Sequence, residues 1–239
     1  MIDVESAAFS IIEDAIKSQP RTMQLSIGPS ELGMECEHCL GARLVGWQKK
    51  PEASWLPFIG TAVHAALEEM FIGQEGWLTE TRVCVGRIMG KEVWGTSDLF
   101  HVPSGTVVDW KIVGSTTLKS AKGGPSMTYT RQIHSYGTGF LRAGYDVNRV
   151  AIAFLPRNAI SLSQAVWWED DYKPLVALGA LQRATELAER IFALPEEERD
   201  AFLSDLPRAT GCYDCPRYAD WGHPVPELDT LDSLLGIAA

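Results

Sequence analysis

The chain has 239 residues, 46% of them hydrophobic and 22% charged, and a formal net charge of -10 at pH 7. That is enough apolar material for one ordinary core without covalent staples, so a single domain with at most a small appendage is expected. The acidic balance excludes a protein that coats nucleic acid non-specifically, which needs Lys and Arg to neutralise phosphates, but leaves room for a local basic groove beside acidic residues.

No apolar run approaches the ~18 residues of a membrane span. The opening MIDVESAAFS lacks the positive flank and apolar stretch of a signal peptide, so a cytoplasmic location without a membrane is expected. Residues 4–17 carry Phe9, Ile12 and Ile16 at helical spacing. A second helix is predicted over residues 61–72, with Thr61 as N-cap, an apolar stripe of Val63, Ala66, Leu67, Met70 and Phe71, and Gly73 as the stop.

From residue 77 to 113 the pattern shortens to WLTETRVCV, EVWGTSDLF and TVVDWKIV, separated by glycine-bearing turns at residues 86–90 and 101–105. This predicts a three-stranded antiparallel meander. The next stretch, GSTTLKSAKGGPSMT, is rich in small polar residues and predicts a loop carrying Lys119 and Lys122. A helix over residues 130–143 stopped by Gly144, a strand in VAIAFLP, a long helix over residues 174–194 and a short one over 196–202 complete the expectation. The predicted fold is α/β, a mixed central sheet flanked by helices. It divides into an N-terminal helical segment (1–59), a core of helix and strands (60–160) and C-terminal helices (161–239) within one domain.

The chemistry concentrates in GTSDLFHVPSGTVVDWKIV. Alternation along a strand puts Asp109 and Lys111 on one face and Trp110 on the other, while Asp98 arrives from the preceding strand. The apolar pair Val107 and Val108 precedes Asp109, where an unpaired charge is costly, so a solvated sheet face fits poorly. Two carboxylates and an ammonium at one spot suit a hard cation such as Mg²⁺ or Mn²⁺, with the Trp110 carbonyl as a further oxygen ligand and Lys111 beside an attacking water.

The order GTAVH on a helix, then GTSD, VVDWK and QIHSY on a later helix resembles the RecB-like branch of the PD-(D/E)xK nuclease superfamily. The resemblance is to the CRISPR-associated RecB-like exonucleases and their phage relatives, and it spans residues 30–221. It implies a restriction-endonuclease-like core. It also implies a metal site of His64, Asp98 and Asp109, a catalytic Lys111, and a Q-x-x-x-Y pair, Gln132 and Tyr136, beside the site and the DNA. Spacing of four puts Gln132 and Tyr136 on one helix face. Glu80 resembles an acidic position of the family and equally reads as a solvated strand residue; Glu68 reads as a helix-surface carboxylate. The resemblance points to DNA with single-stranded or free ends as substrate. Lys119, Lys122, Arg131 and Arg157 are phosphate-contact candidates by neighbourhood, and Trp55, Phe58 and Tyr129 are either stacking surfaces or core.

Five cysteines remain. Cys36 with Cys39 and Cys212 with Cys215 form two C-x-x-C units, which in a cytoplasmic chain point to a metal rather than to disulfides. Four thiolates suit tetrahedral Zn²⁺ or a [4Fe-4S] cluster, and spacing does not separate the two. The resemblance implies the cluster as a clip joining the terminal segments. The chain departs from the family's one-plus-three cysteine distribution: no cysteine stands near Trp221, and the first segment has one more. His38 or His223 can replace a thiolate, and Cys84 reads as a buried strand residue. Two other activities fit the same residues, a structure-specific or restriction-type endonuclease and a non-catalytic module for binding DNA or protein.

Overall fold

A computed structural model describes residues 4–17, 27–50 and 54–218. Its centre is a five-stranded sheet in the order β1-β2-β3-β4-β5, formed by Trp77–Ile88, Lys91–His101, Thr106–Val113, Arg149–Pro156 and Val166–Asp171. The first three strands are the expected antiparallel meander, β4 runs parallel to β3, and β5 closes the edge antiparallel to β4. The sheet is therefore mixed. Its parallel step is bridged by two helices, α5 (Ser115–Ala121) and α6 (Met127–Arg142), as a parallel connection requires.

Helices cover both faces. α6 and α7 (Pro174–Phe192) pack on one face with the large core, where Phe100 of β2 stacks on Phe140 of α6 at 4.2 Å between ring centroids. Gly139 lets α6 approach β1, because a Cβ there would meet Val83 Cγ2 at 2.5 Å. On the other face, α4 (Trp55–Phe71) covers a small cluster in which Phe71, Trp77 and Trp110 pack on Leu99, Val108 and Ala151. The expected alternation in β3 holds: Val107 and Val113 join the large core, Val108 and Trp110 the small one. Three further helices, α1 (Val4–Lys17), α2 (Pro29–Gly33) and α3 (Glu37–Leu44), precede α4, and α8 (Glu196–Ser204) follows α7.

α2 and α3 are not among the expected helices, and four further elements differ from expectation. α4 begins at Trp55 with Ser54 as N-cap, so Thr61 lies inside it. Pro57 is tolerated because the first turn's N–H groups have no helical partner. β1 runs through Gly86 to Ile88, and the hairpin turns at Met89 and Gly90, both left-handed (φ 47° and 85°), as a two-residue β-turn demands. The small-residue stretch after β3 is helical as α5, anchored by buried Leu118 and Ala121. The edge strand β5, VWWEDD, alternates half-buried and exposed side chains; its charged residues hide the strand in the sequence.

Candidate active site

The sheet forks where the chemistry lies. β2 and β3 are paired only at Leu99 with Val108, Phe100 with Val107 and His101 with Thr106, so they part at the next position, where Asp98 would face Asp109. The Trp110 N–H beyond the fork donates instead to Asp98 Oδ2 at 2.7 Å. The carboxylate thus takes over a bond that a ladder would otherwise supply. Asp98 Oδ1 lies 3.3 Å from His64 Nδ1, which α4 carries.

Glu80 joins them. Ligand atoms of His64, Glu80 and Asp98 all lie within 4.8 Å of one another. β1 aims this glutamate by a local distortion: Thr79 pairs with Leu99 and Thr81 with Ser97, while Glu80 between them has φ 42°, left-handed backbone that a non-glycine residue rarely adopts. In the sequence Glu80 reads equally as the family's acidic position or as a solvated strand residue, because its left-handed backbone has no signature in the residues around it.

Asp109 is buried at 2% exposure and its Oδ2 lies 2.7 Å from Lys111 Nζ. Burial pushes its carboxyl up to about 6 against the pull of the Lys111 ammonium, and the neighbouring Asp98 charge adds to the rise. Lys111 Nζ also donates to Gln132 Oε1 at 3.0 Å and sits 4.8 Å from the centre of the Tyr129 ring, a cation–π contact. The amine is held from three sides. Tyr136, one turn beyond Gln132 on α6, is buried, and burial with the charges of Asp109 and Asp98 raises its phenol above its ordinary value. It therefore stays protonated.

The phosphate-contact candidates divide. Lys119 and Lys122 stand exposed on and just after α5, and Arg157 is exposed with its guanidinium beside Gly114 at the end of β3. Arg131 is half-buried and donates to the Gly33 carbonyl at 3.4 Å, a contact that ties α6 to α2. On α4, Trp55 stacks on Phe58 at 5.3 Å between centroids and is 53% exposed.

A second cluster joins the α3 segment to the residues after α8. Cys36 at the start of α3, Cys39 within it, and Cys212 and Cys215 after α8 bring all four sulfurs within 4.8 Å of one another. Around them, Lys49 Nζ meets Asp214 Oδ2 at 2.6 Å and the Lys50 N–H donates to the Arg217 carbonyl at 2.9 Å, so the two segments are zipped together. Burial, with the crowded thiols, pushes Cys215 up to about 12 and raises Cys39. At Cys212 burial acts in the same direction, but the backbone N–H groups of Cys215 and Asp214 together with hydrogen bonds from the Cys39 and Cys215 thiols outweigh it, and the net shift is downward. Burial and the Arg208 charge lower His38 to about 4, so it is neutral, with Nδ1 3.3 Å from Cys215 Sγ. His223 lies outside the described residues. Cys84 is half-buried in β1 and donates to the Gly86 carbonyl at 3.5 Å.

No family model and no curated protein matches the chain. Among solved structures, LHK-Exo in complex with dAMP superposes with a TM-score of 0.50 at 14% identity, over 74% of this chain and 94% of that one. LHK-Exo is an alkaline exonuclease from Laribacter hongkongensis. The chain shares its fold. An exonuclease-related structure from Eubacterium rectale aligns over 89% of this chain and 92% of its own, at 14% identity and a TM-score of 0.49. The structure of SSO0001 aligns at 19% identity and a TM-score of 0.41, and the chain spans 58% of its length. Among the described residues, no helix is long and apolar enough to cross a membrane.

Proposed function

We propose that the chain is a divalent-metal-dependent deoxyribonuclease, an exonuclease acting on single-stranded DNA ends in recombination or repair. One grouping carries this reading: the ligand atoms of His64, Glu80 and Asp98 within 4.8 Å of one another, in a sheet fork that also holds the buried Asp109–Lys111 ion pair. The donors fit a hard cation, since octahedral Mg²⁺ with ligands at about 2.1 Å brings those ligands to within about 3–4 Å of each other. His64, Asp98 and Asp109 would hold Mg²⁺ or Mn²⁺, Glu80 would join them, and the Trp110 carbonyl would offer a further oxygen. Such an ion supplies polarisation of the scissile phosphate and neutralises the leaving oxygen.

The protein's own groups account for the rest. Lys111, fixed by Asp109, Gln132 and the Tyr129 ring, orients the attacking water and offsets charge that develops on phosphorus. Water oxygen bonds to phosphorus as one P–O ester bond breaks, leaving a phosphate end and a hydroxyl end. Gln132 and the protonated Tyr136 share one buried face of α6 beside Lys111 and would contact DNA backbone that enters the fork. Lys119, Lys122 and Arg157 supply phosphate contacts, with Arg131 contributing less because it is engaged with Gly33. The name of LHK-Exo, an exonuclease crystallised with dAMP, agrees with this substrate class.

The test compares linear with closed circular single-stranded DNA, in Mg²⁺ or Mn²⁺ and in EDTA. Linear DNA is degraded, circles survive, and EDTA stops the reaction. Cutting of circles identifies an endonuclease of the same chemistry, and intact DNA of both forms in either metal overturns the nuclease reading.

A further inference from the structure

The sulfur spacing at the cysteine clip does not fit the iron–sulfur cluster that the resemblance implies. Cys36 and Cys215 sulfurs are 3.4 Å apart, Cys39 lies 3.5 Å from both Cys212 and Cys215, and no pair exceeds 4.8 Å. A tetrahedral ion with Zn–S bonds of about 2.3 Å sets its four sulfurs about 3.8 Å apart. In a [4Fe-4S] cubane each thiolate stands outside a different iron corner, and the sulfurs are roughly 6 Å apart.

The surroundings oppose such an expansion. Cys36, Cys39 and Cys215 are each below 9% exposed, and the rings of His38, Trp47 and Tyr218 close on one another at 5.7–6.5 Å. Behind α3, a Cβ at Gly41 would meet Leu206 at 2.7 Å and Leu203 at 2.8 Å, so the helix cannot retreat from the sulfurs. The backbone is also tied across the gap, with the His38 N–H donating to the Pro207 carbonyl at 3.1 Å.

We propose that Cys36, Cys39, Cys212 and Cys215 hold one tetrahedral Zn²⁺ ion, with His38 as a positioning residue that donates an Nδ1–H···S bond to Cys215. One further feature supports a single-ion site: the pairs are symmetric, C-x-x-C on each segment. The role is structural. The ion joins segments more than 170 residues apart and is independent of the proposed nuclease chemistry.

The test is metal and acid-labile sulfide analysis of the full chain, purified without air from a medium supplying both iron and zinc. The expected sample is colourless, with one zinc per chain and no sulfide, and replacement of the zinc by Co²⁺ gives the strong visible bands of a tetrahedral thiolate site. A brown sample with iron and sulfide in equal amounts overturns the proposal, as does a folded chain with no metal. His38→Phe keeps the ring packing and removes the donor; zinc affinity then falls about 10–100-fold. Unchanged affinity removes His38 from the proposal.

Discussion

Asp98 accepts a hydrogen bond from the Trp110 N–H at 2.7 Å at the point where β2 leaves β3. One carboxylate therefore both seals the fork and faces His64. The two tasks separate by substitution. Asp98→Asn keeps an acceptor for the Trp110 N–H and holds stability within about 1 kcal/mol, whereas Asp98→Ala leaves that donor unpaired at a cost of about 1–3 kcal/mol. Both lose Mg²⁺-dependent cleavage by about 100-fold or more. Urea unfolding alongside a cleavage assay checks the pair, and equal destabilisation by both variants would deny the sealing role.

Glu80 holds a backbone conformation that glycine adopts without strain. Such strain costs about 1–3 kcal/mol. Glu80→Gly is expected to match or exceed the parent in stability, by up to about 1 kcal/mol after its own entropic cost, while cleavage collapses. A variant both less stable and fully active would show that the distortion does not serve the site.

Gln132 fixes the Lys111 amine at 3.0 Å without belonging to the proposed metal ligands. Gln132→Ala frees one of the amine's three anchors, and a misplaced group costs about 10-fold or more in rate. The loss should fall on kcat, with KM for DNA changed far less. A change confined to KM would assign Gln132 to DNA binding alone.

His134, fully buried on α6, accepts the Lys173 N–H at Nδ1 over 3.2 Å. Burial, with a contribution from Lys173, lowers its pKa to about 4, against the opposing pull of Asp170. The folded chain thus binds this proton less readily than the unfolded chain, whose imidazole titrates near the ordinary value of 6.5. Stability from this group is complete above that value and is lost as pH falls from 6.5 towards 4, because the unfolded state takes up the proton first. His38 contributes in the same direction. His134→Gln removes one proton's share of this acid slope, measured by unfolding between pH 7 and about 4. An unaltered slope would contradict the assignment.

Part of the candidate site's geometry is legible because strand alternation is rigid: Asp109 and Lys111 share a face once VVDWK is a strand, and the structure adds Gln132 and Tyr129 around the amine. Spacing of four likewise set Gln132 and Tyr136 together on α6. Glu80 was harder, since its direction depends on one left-handed residue that no periodicity announces. The same limit hid α5 and β5. A seven-residue helix of small polar residues is stabilised by two buried contacts rather than by propensity, and an edge strand of acidic residues reads as a loop. The two C-x-x-C pairs are legible in the sequence as one candidate metal site, and the structure brings their four sulfurs within 4.8 Å of one another; the proposal of a single ion rests on those distances.

Hydrolysis is assigned to the carboxylates and amine in the sheet fork. Release of labelled nucleotides from linear single-stranded DNA in Mg²⁺, measured for the parent, Asp109→Ala and Lys111→Ala and with native folding checked for each, decides that assignment. The parent should degrade the DNA and both variants should leave it intact. Equal release by the parent and either folded variant would contradict the account.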